Sequence, residues 1–247
     1  MRIALISRPR TCSTAISKSL ANFYNLDYLG ESYFNIHNNL LRYYKLRRNY
    51  DTQLALQKFS TQLNDYTNKI FQKENFIIKI FPSILHFPPS NMMEEHSFDF
   101  VKNQFLFKLD VLKIKQYDKI YFLDRVLSDS LLSWAYCHHT RYFHKKKSEP
   151  PKYIKIEIND HDLSAVKFYI IEYFLQQKIK KYLDTEKIPY TYINESNCES
   201  YIDKNYLDIE NTIIDYKDYI LNLKKFDNFV EKWCSVCEQE TQNWNFF

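Results

Sequence analysis

The chain has 247 residues, a formal net charge of +4, 45% hydrophobic and 17% aromatic residues, and a single glycine, Gly30. That much apolar material excludes a disordered chain and predicts one well-buried domain over 1–247, helical in its C-terminal part from about 206. Dispersed Lys and Arg argue against nucleic acid as a partner and no apolar run of ~20 residues predicts a membrane span, while five cysteines without framework spacing fit a reducing, cytoplasmic setting.

The first stretch sets the plan. Ile3 to Ile6 reads as a buried strand, Pro9 stops it, and Ala15, Ile16, Leu20 and Ala21 recur at helical spacing. A helix that begins straight after such a loop aims its unpaired N–H groups and positive dipole end above the strand, where an anion fits. Arg8 and Arg10 can fork onto phosphate or sulfate oxygens, and Thr11, Ser13 and Thr14 add hydroxyl donors. A nucleotide-triphosphate loop would need G-x-x-x-x-G-K-[ST], and neither those glycines nor that lysine is present, which argues against ATP or GTP hydrolysis.

Further along, Asp27 to Leu29 predicts a short second strand, and 36–48 and 51–73 predict two helices. Phe76 to Phe81 is an apolar run interrupted by Lys79 and ended by Pro82, a buried strand. After a proline-rich loop over 83–96, a helix is expected over about 97–115, a strand over Lys119–Leu123 and a helix over Val126–Thr140. The basic stretch 141–151, with His144, reads as a solvated loop. Asn159 or Asp160 caps a long helix with Leu163, Val166, Ile170, Ile171, Phe174, Ile179 and Leu183 on its buried face. A last strand is expected over Ile188–Ile193, and 206–240 should be mostly helical. Apolar strands alternating with helices predict a three-layer α/β fold, with a mostly parallel sheet of about five strands covered on both faces and ligands bound at the strand C-termini. With one glycine, turns must lean on Asn and Asp.

Arg125, Asp129 and Ser133 follow the fourth apolar strand in the pattern R-x-x-x-D-x-x-x-S. This resembles the 3′-phosphate-binding element of sulfotransferases. By that resemblance Arg125 and Ser133 would hold the 3′-phosphate of 3′-phosphoadenosine 5′-phosphosulfate, and spacing by four places such residues along one helical face. Pro9-Arg10-Thr11-Cys12-Ser13-Thr14 is similar to the family's 5′-phosphosulfate loop, P-[KR]-[ST]-G-[ST]-T, with Cys12 where the family has glycine. Glycine there permits φ > 0 and close backbone approach. Gly30-Glu31-Ser32-Tyr33-Phe34 resembles the segment of bacterial trehalose-type sulfotransferases in which a glutamate is the general base, and Lys79 looks like the family's strand lysine.

The resemblance implies a P-loop-like sulfotransferase architecture and transfer of a sulfuryl group to a hydroxyl of a carbohydrate or small metabolite. Catalytic roles would fall to Glu31, Arg10 and Lys79, and co-substrate binding to Arg8, Arg10, Thr11, Cys12, Ser13, Thr14, Arg125 and Ser133; no metal is required. Two other classes stay open, a non-catalytic interaction protein on such a scaffold and a kinase-like nucleotide-dependent transferase. His138, His139 and His144 lack a zinc-like partner set and read as surface or helix-end residues; Cys234 and Cys237, a C-x-x-C without further ligands, read as buried or inert thiols.

Overall fold

The computed structural model describes residues 1–9, 11–33, 52–82, 109–140, 154–203 and 216–242, the side chains of 52–56 excepted. Five strands form one parallel sheet: β1 (Arg2–Ile6), β2 (Asp27–Gly30), β3 (Phe76–Ile80), β4 (Lys119–Leu123) and β5 (Thr191–Ile193), in the order β2-β3-β1-β4-β5. The helices are α1 (Ser13–Phe23), α2 (Thr52–Ile70), α3 (Leu127–Thr140), α4 (Asp160–Thr185) and α5 (Leu223–Gln242). None of the described helices is long and apolar enough to cross a membrane.

Central β1 explains the architecture. Ile3, Ala4, Leu5 and Ile6 are all fully buried, as a strand flanked by two neighbours and covered on both faces must be. Ile3 and Leu5 join Ile77, Ile16 and Leu20 in a smaller core beneath α1, while Ala4 and Ile6 join Ile78 and Ile80 in a larger core beneath α2, α3, α4 and α5. The period-two alternation that separates these cores also puts Lys79 on the α1 face, two residues beyond Ile77.

Several sequence expectations change at their edges. The strand expected over Ile188–Ile193 is shorter than that: β5 pairs with β4 only from Thr191, opposite Tyr121, to Ile193, opposite Leu123. The helix expected to end near 115 gives way before that, where Lys113 turns left-handed and a 3-10 turn covers Ile114–Gln116. In the C-terminal part, α5 begins only at Leu223; ahead of it lie a 3-10 turn at Tyr216–Tyr219 and a bridge from Ile220 to Ile156. The expected helix 36–48, the loop 83–96 and the basic stretch 141–151 lie outside the described residues.

The shortage of glycine leaves a physical mark. Left-handed backbone falls on Cys12 (φ 59), Asn25 (φ 52), Lys113 (φ 53) and Lys187 (φ 53) as well as on Gly30 (φ 57). Asn25 and Lys187 each close a helix: the amides of Leu26 and Ile188 reach back to the carbonyls of Ala21 and Leu183, the hydrogen bonds of a Schellman turn. Asn tolerates that conformation through its short polar side chain; lysine carries the full Cβ penalty. Asn159 is the cap of α4, its side chain accepting from the Asp162 amide while Asp162 accepts from the Asn159 amide.

Candidate functional site

Because all five strands are parallel, their C-terminal ends lie on one edge of the sheet, and two buried cations stand there. Lys79, next to last in β3, is 1% exposed. Its Nζ donates to Thr14 Oγ1 at 2.8 Å and to Glu31 Oε1 at 2.5 Å. Thr14 is the second residue of α1, and Glu31 follows the left-handed Gly30 at the end of β2. Gly30 is favoured there on two counts, since its φ is positive and a Cβ would lie 3.3 Å from the Tyr28 ring, close enough that the ring would have to give. Three segments far apart in sequence thus meet at one amine. Burial lowers the Lys79 pKa and Glu31, its ion-pair partner, partly offsets that.

Cys12 immediately precedes α1 with φ 59 and ψ 14, and makes no side-chain cap hydrogen bond. The loop therefore keeps the left-handed turn that glycine would allow, and a thiol side chain accompanies it. Ser13 is buried in the first turn. Ser7, one residue beyond β1, is fully buried; its amide donates to the Ile80 carbonyl and its Oγ has no partner among the described residues.

The second cation, Arg8, is fully buried and turned into the protein. Its Nε donates to Gln176 Oε1 at 2.6 Å, and its Nη2 to Asp124 Oδ1 at 2.9 Å and to the Arg125 carbonyl at 2.6 Å. The guanidinium lies 5.3 Å and 4.9 Å from the Tyr169 and Tyr173 ring centroids. Asp124 also accepts from the Arg125 amide, Gln177 and Tyr192. Thr11 Oγ1 donates to the Arg8 carbonyl, and Tyr169 donates to the Pro9 carbonyl. Arg8, expected to face an anion, ties the loop to the end of β4 and to α4, and Thr11 closes the loop on itself through the Arg8 carbonyl. The reason is tertiary: the sheet and α4 bring Asp124, the Arg125 carbonyl and Gln176 to the buried guanidinium and satisfy it inward.

Arg125, at the end of β4 on the same sheet edge, is partly exposed, and its Nε donates to Glu195 Oε1 at 3.3 Å. Arg125 stands between β4 and α3, which begins at Leu127, and within that helix Asp129 is exposed and Ser133 is buried. Arg10 lies outside the described residues.

Elsewhere, His139 Nδ1 lies 2.7 Å from Asp162 Oδ2 and His138 Nδ1 lies 3.2 Å from Asp162 Oδ1, tying the end of α3 to the cap of α4. Burial pushes the Asp162 carboxyl up, and hydrogen bonds from His139, the Asn159 amide and His138 more than reverse this, leaving it below its ordinary value. No group of described residues has the makings of a metal site. Cys237 is buried in α5 with its thiol pushed up to about 12 by burial, and burial likewise raises Cys234, so neither is a ready nucleophile.

Sequence reasoning missed Asp124, Gln176 and Glu195. Gln176 carried a signal, a polar residue amid the apolar stripe of α4, where an amide must be paired once buried. Asp124, adjoining Arg125 at a strand end, carried a weaker one. Glu195 carried none, since only the β4–β5 pairing brings its turn beside Arg125.

Comparison of the chain with protein-family models and with curated proteins returns no match.

Proposed function

We propose that the protein is a sulfotransferase that moves a sulfuryl group from 3′-phosphoadenosine 5′-phosphosulfate to a hydroxyl of a carbohydrate or small metabolite. One observation carries the reading. Thr14, Glu31 and Lys79, picked out by motif from three separate segments, converge within hydrogen-bond distance at the C-terminal edge of a parallel sheet, where such sheets bind ligands.

In this reading the acceptor oxygen forms a bond to sulfur as the bond from sulfur to the 5′-phosphate oxygen breaks. Glu31 takes the acceptor's proton. Lys79, Arg10 and the first turn of α1 offset charge on the departing phosphate, and Thr14 orients Lys79 by accepting its hydrogen bond. Arg125 holds the 3′-phosphate.

Calorimetry with 3′,5′-bisphosphoadenosine beside ATP tests the assignment. The bisphosphate is expected to bind more tightly than ATP, and Arg125→Ala to weaken it by ~1.5–3 kcal/mol, the worth of a charge-assisted contact. Equal affinity for the two nucleotides, or an Arg125→Ala chain that binds the bisphosphate normally, removes the reading.

A further inference from the structure

A base that is ion-paired is a poor base, and a buried amine already paired with a carboxylate is a poor anion site. Both conditions hold here at once. Lys79 is 1% exposed with its Nζ committed to Glu31 and Thr14, whereas the Glu31 side chain is 39% exposed. The two partners are therefore unequal. Lys79 has no route to water and must keep an acceptor, since an unpaired buried ammonium is costly. Glu31 can swing out and be hydrated.

The surroundings also offer donors. Ser7 Oγ is buried beside the end of β3 with no partner among the described residues, and Thr14, which accepts from Lys79, retains its own hydroxyl proton to give. Glu31 reaches Lys79 through one oxygen, Oε1, whereas a tetrahedral oxyanion beside the amine would bring further oxygens toward these hydroxyl donors.

We infer that the Glu31 carboxylate is a built-in stand-in for the anionic ligand: a sulfate-like group entering the edge displaces Glu31 from Lys79, and the displacement releases Glu31 as a base only when that group is in place. The inference rests on the proposed sulfuryl transfer for the identity of the ligand, but the exchange itself is a property of the Lys79, Glu31 and Thr14 cluster. It couples two events. The anion takes over the role of counter-ion to Lys79, and the carboxylate that had neutralised the amine becomes available to accept a proton.

The exchange predicts an affinity change of unusual sign. Removing a carboxylate that merely accepts a proton leaves anion binding alone; removing one that competes for the amine tightens it. Inorganic sulfate is titrated into the wild-type chain labelled with 13C at lysine Cε, with Lys79 assigned through Lys79→Arg, and into Glu31→Gln. Sulfate should shift the Lys79 resonance in both, with an affinity about tenfold higher in Glu31→Gln, as expected for one lost charge-assisted competitor. Asp27→Asn removes the same charge at the opposite edge of the sheet, where Asp27 pairs with Lys73, and should leave sulfate affinity unchanged.

Equal or weaker sulfate binding by Glu31→Gln, no response of Lys79 in either chain, or an equal gain in Asp27→Asn overturns the inference. The nucleotide reading fails separately. If sulfate behaves as stated but 3′,5′-bisphosphoadenosine binds no better than ATP, the exchange stands and the sulfotransferase assignment falls. Tight bisphosphate binding with no sulfate effect of Glu31→Gln gives the reverse.

Discussion

Arg8 and Lys79 are both essentially fully buried cations at the same edge of the same sheet, yet their surroundings differ in kind. Arg8 is held by Gln176, Asp124 and the Arg125 carbonyl, with Tyr169 and Tyr173 near its guanidinium, and Asp124 is itself held by three further donors. Lys79 is held by one hydroxyl and one partly exposed carboxylate, with the Phe81 ring centroid 5.3 Å from its amine. Burial alone does not separate a structural cation from a reactive one. The number of partners, and whether any of them can leave, does. Arg8 fastens the loop after β1 to the end of β4 and to α4.

The sharpest way to break this comparison is to remove the anchor of Arg8. Asp124→Ala leaves a buried guanidinium without its counter-charge and should destabilise the protein by about 3–5 kcal/mol, read as a lower urea midpoint. A loss under ~1 kcal/mol would show that Arg8 is not held as described.

A second, smaller effect is expected at Asp162, another buried charge with several partners. Asp162→Ala removes the reciprocal cap of α4 and the acceptor for His138 and His139, and should cost about 1–2 kcal/mol near neutral pH. Its pH dependence has a definite sign. The folded carboxyl lies below its ordinary value of 3.8, so the stabilisation is complete above the unfolded value and is lost as pH falls through the folded one. The difference in stability between wild type and Asp162→Ala should therefore shrink as unfolding is followed downward from pH 4.

Backbone strain is expected to count for less. Lys187→Gly places glycine at a left-handed helix end and should stabilise the chain by about 1 kcal/mol in thermal or urea unfolding, the Cβ penalty less the entropy of glycine. Cys12→Gly should give a gain of similar size at the edge of the site, which separates strain in the loop from the electrostatics of Lys79 beside it. No gain at either position would mean that the local packing compensates the left-handed backbone.

The smallest stability change is expected where the sequence pointed to chemistry. Lys79→Met exchanges a buried amine for an apolar side chain of similar length and leaves Glu31 able to reach water, so stability should move by less than about 1 kcal/mol in either direction. The same variant should lose any response to sulfate. A cost as large as that of Asp124→Ala would place Lys79 with Arg8 as a structural cation and erase the contrast.

Much of the fold was legible in the sequence because its signals are local. Apolar runs such as Ile3–Ile6 and Phe76–Ile80 are long enough to read as buried strands, and Pro9, Pro82 and Asn159 punctuate them. The motif positions of Glu31, Lys79 and Thr14 were legible too, as three separate marks along the chain. What sequence alone could not settle was partner choice. Arg8 and Arg10 look alike as strand-end cations, and only the packing of α4 against β4, which carries Gln176 to Arg8, turns Arg8 inward. Likewise the strand order β2-β3-β1-β4-β5 sets Glu31 beside Lys79 and Glu195 beside Arg125. Periodicity along one segment determines which residues are buried, because that depends on a single helix or strand; which charge meets which depends on contacts between segments tens of residues apart, and these exist only once the sheet has assembled.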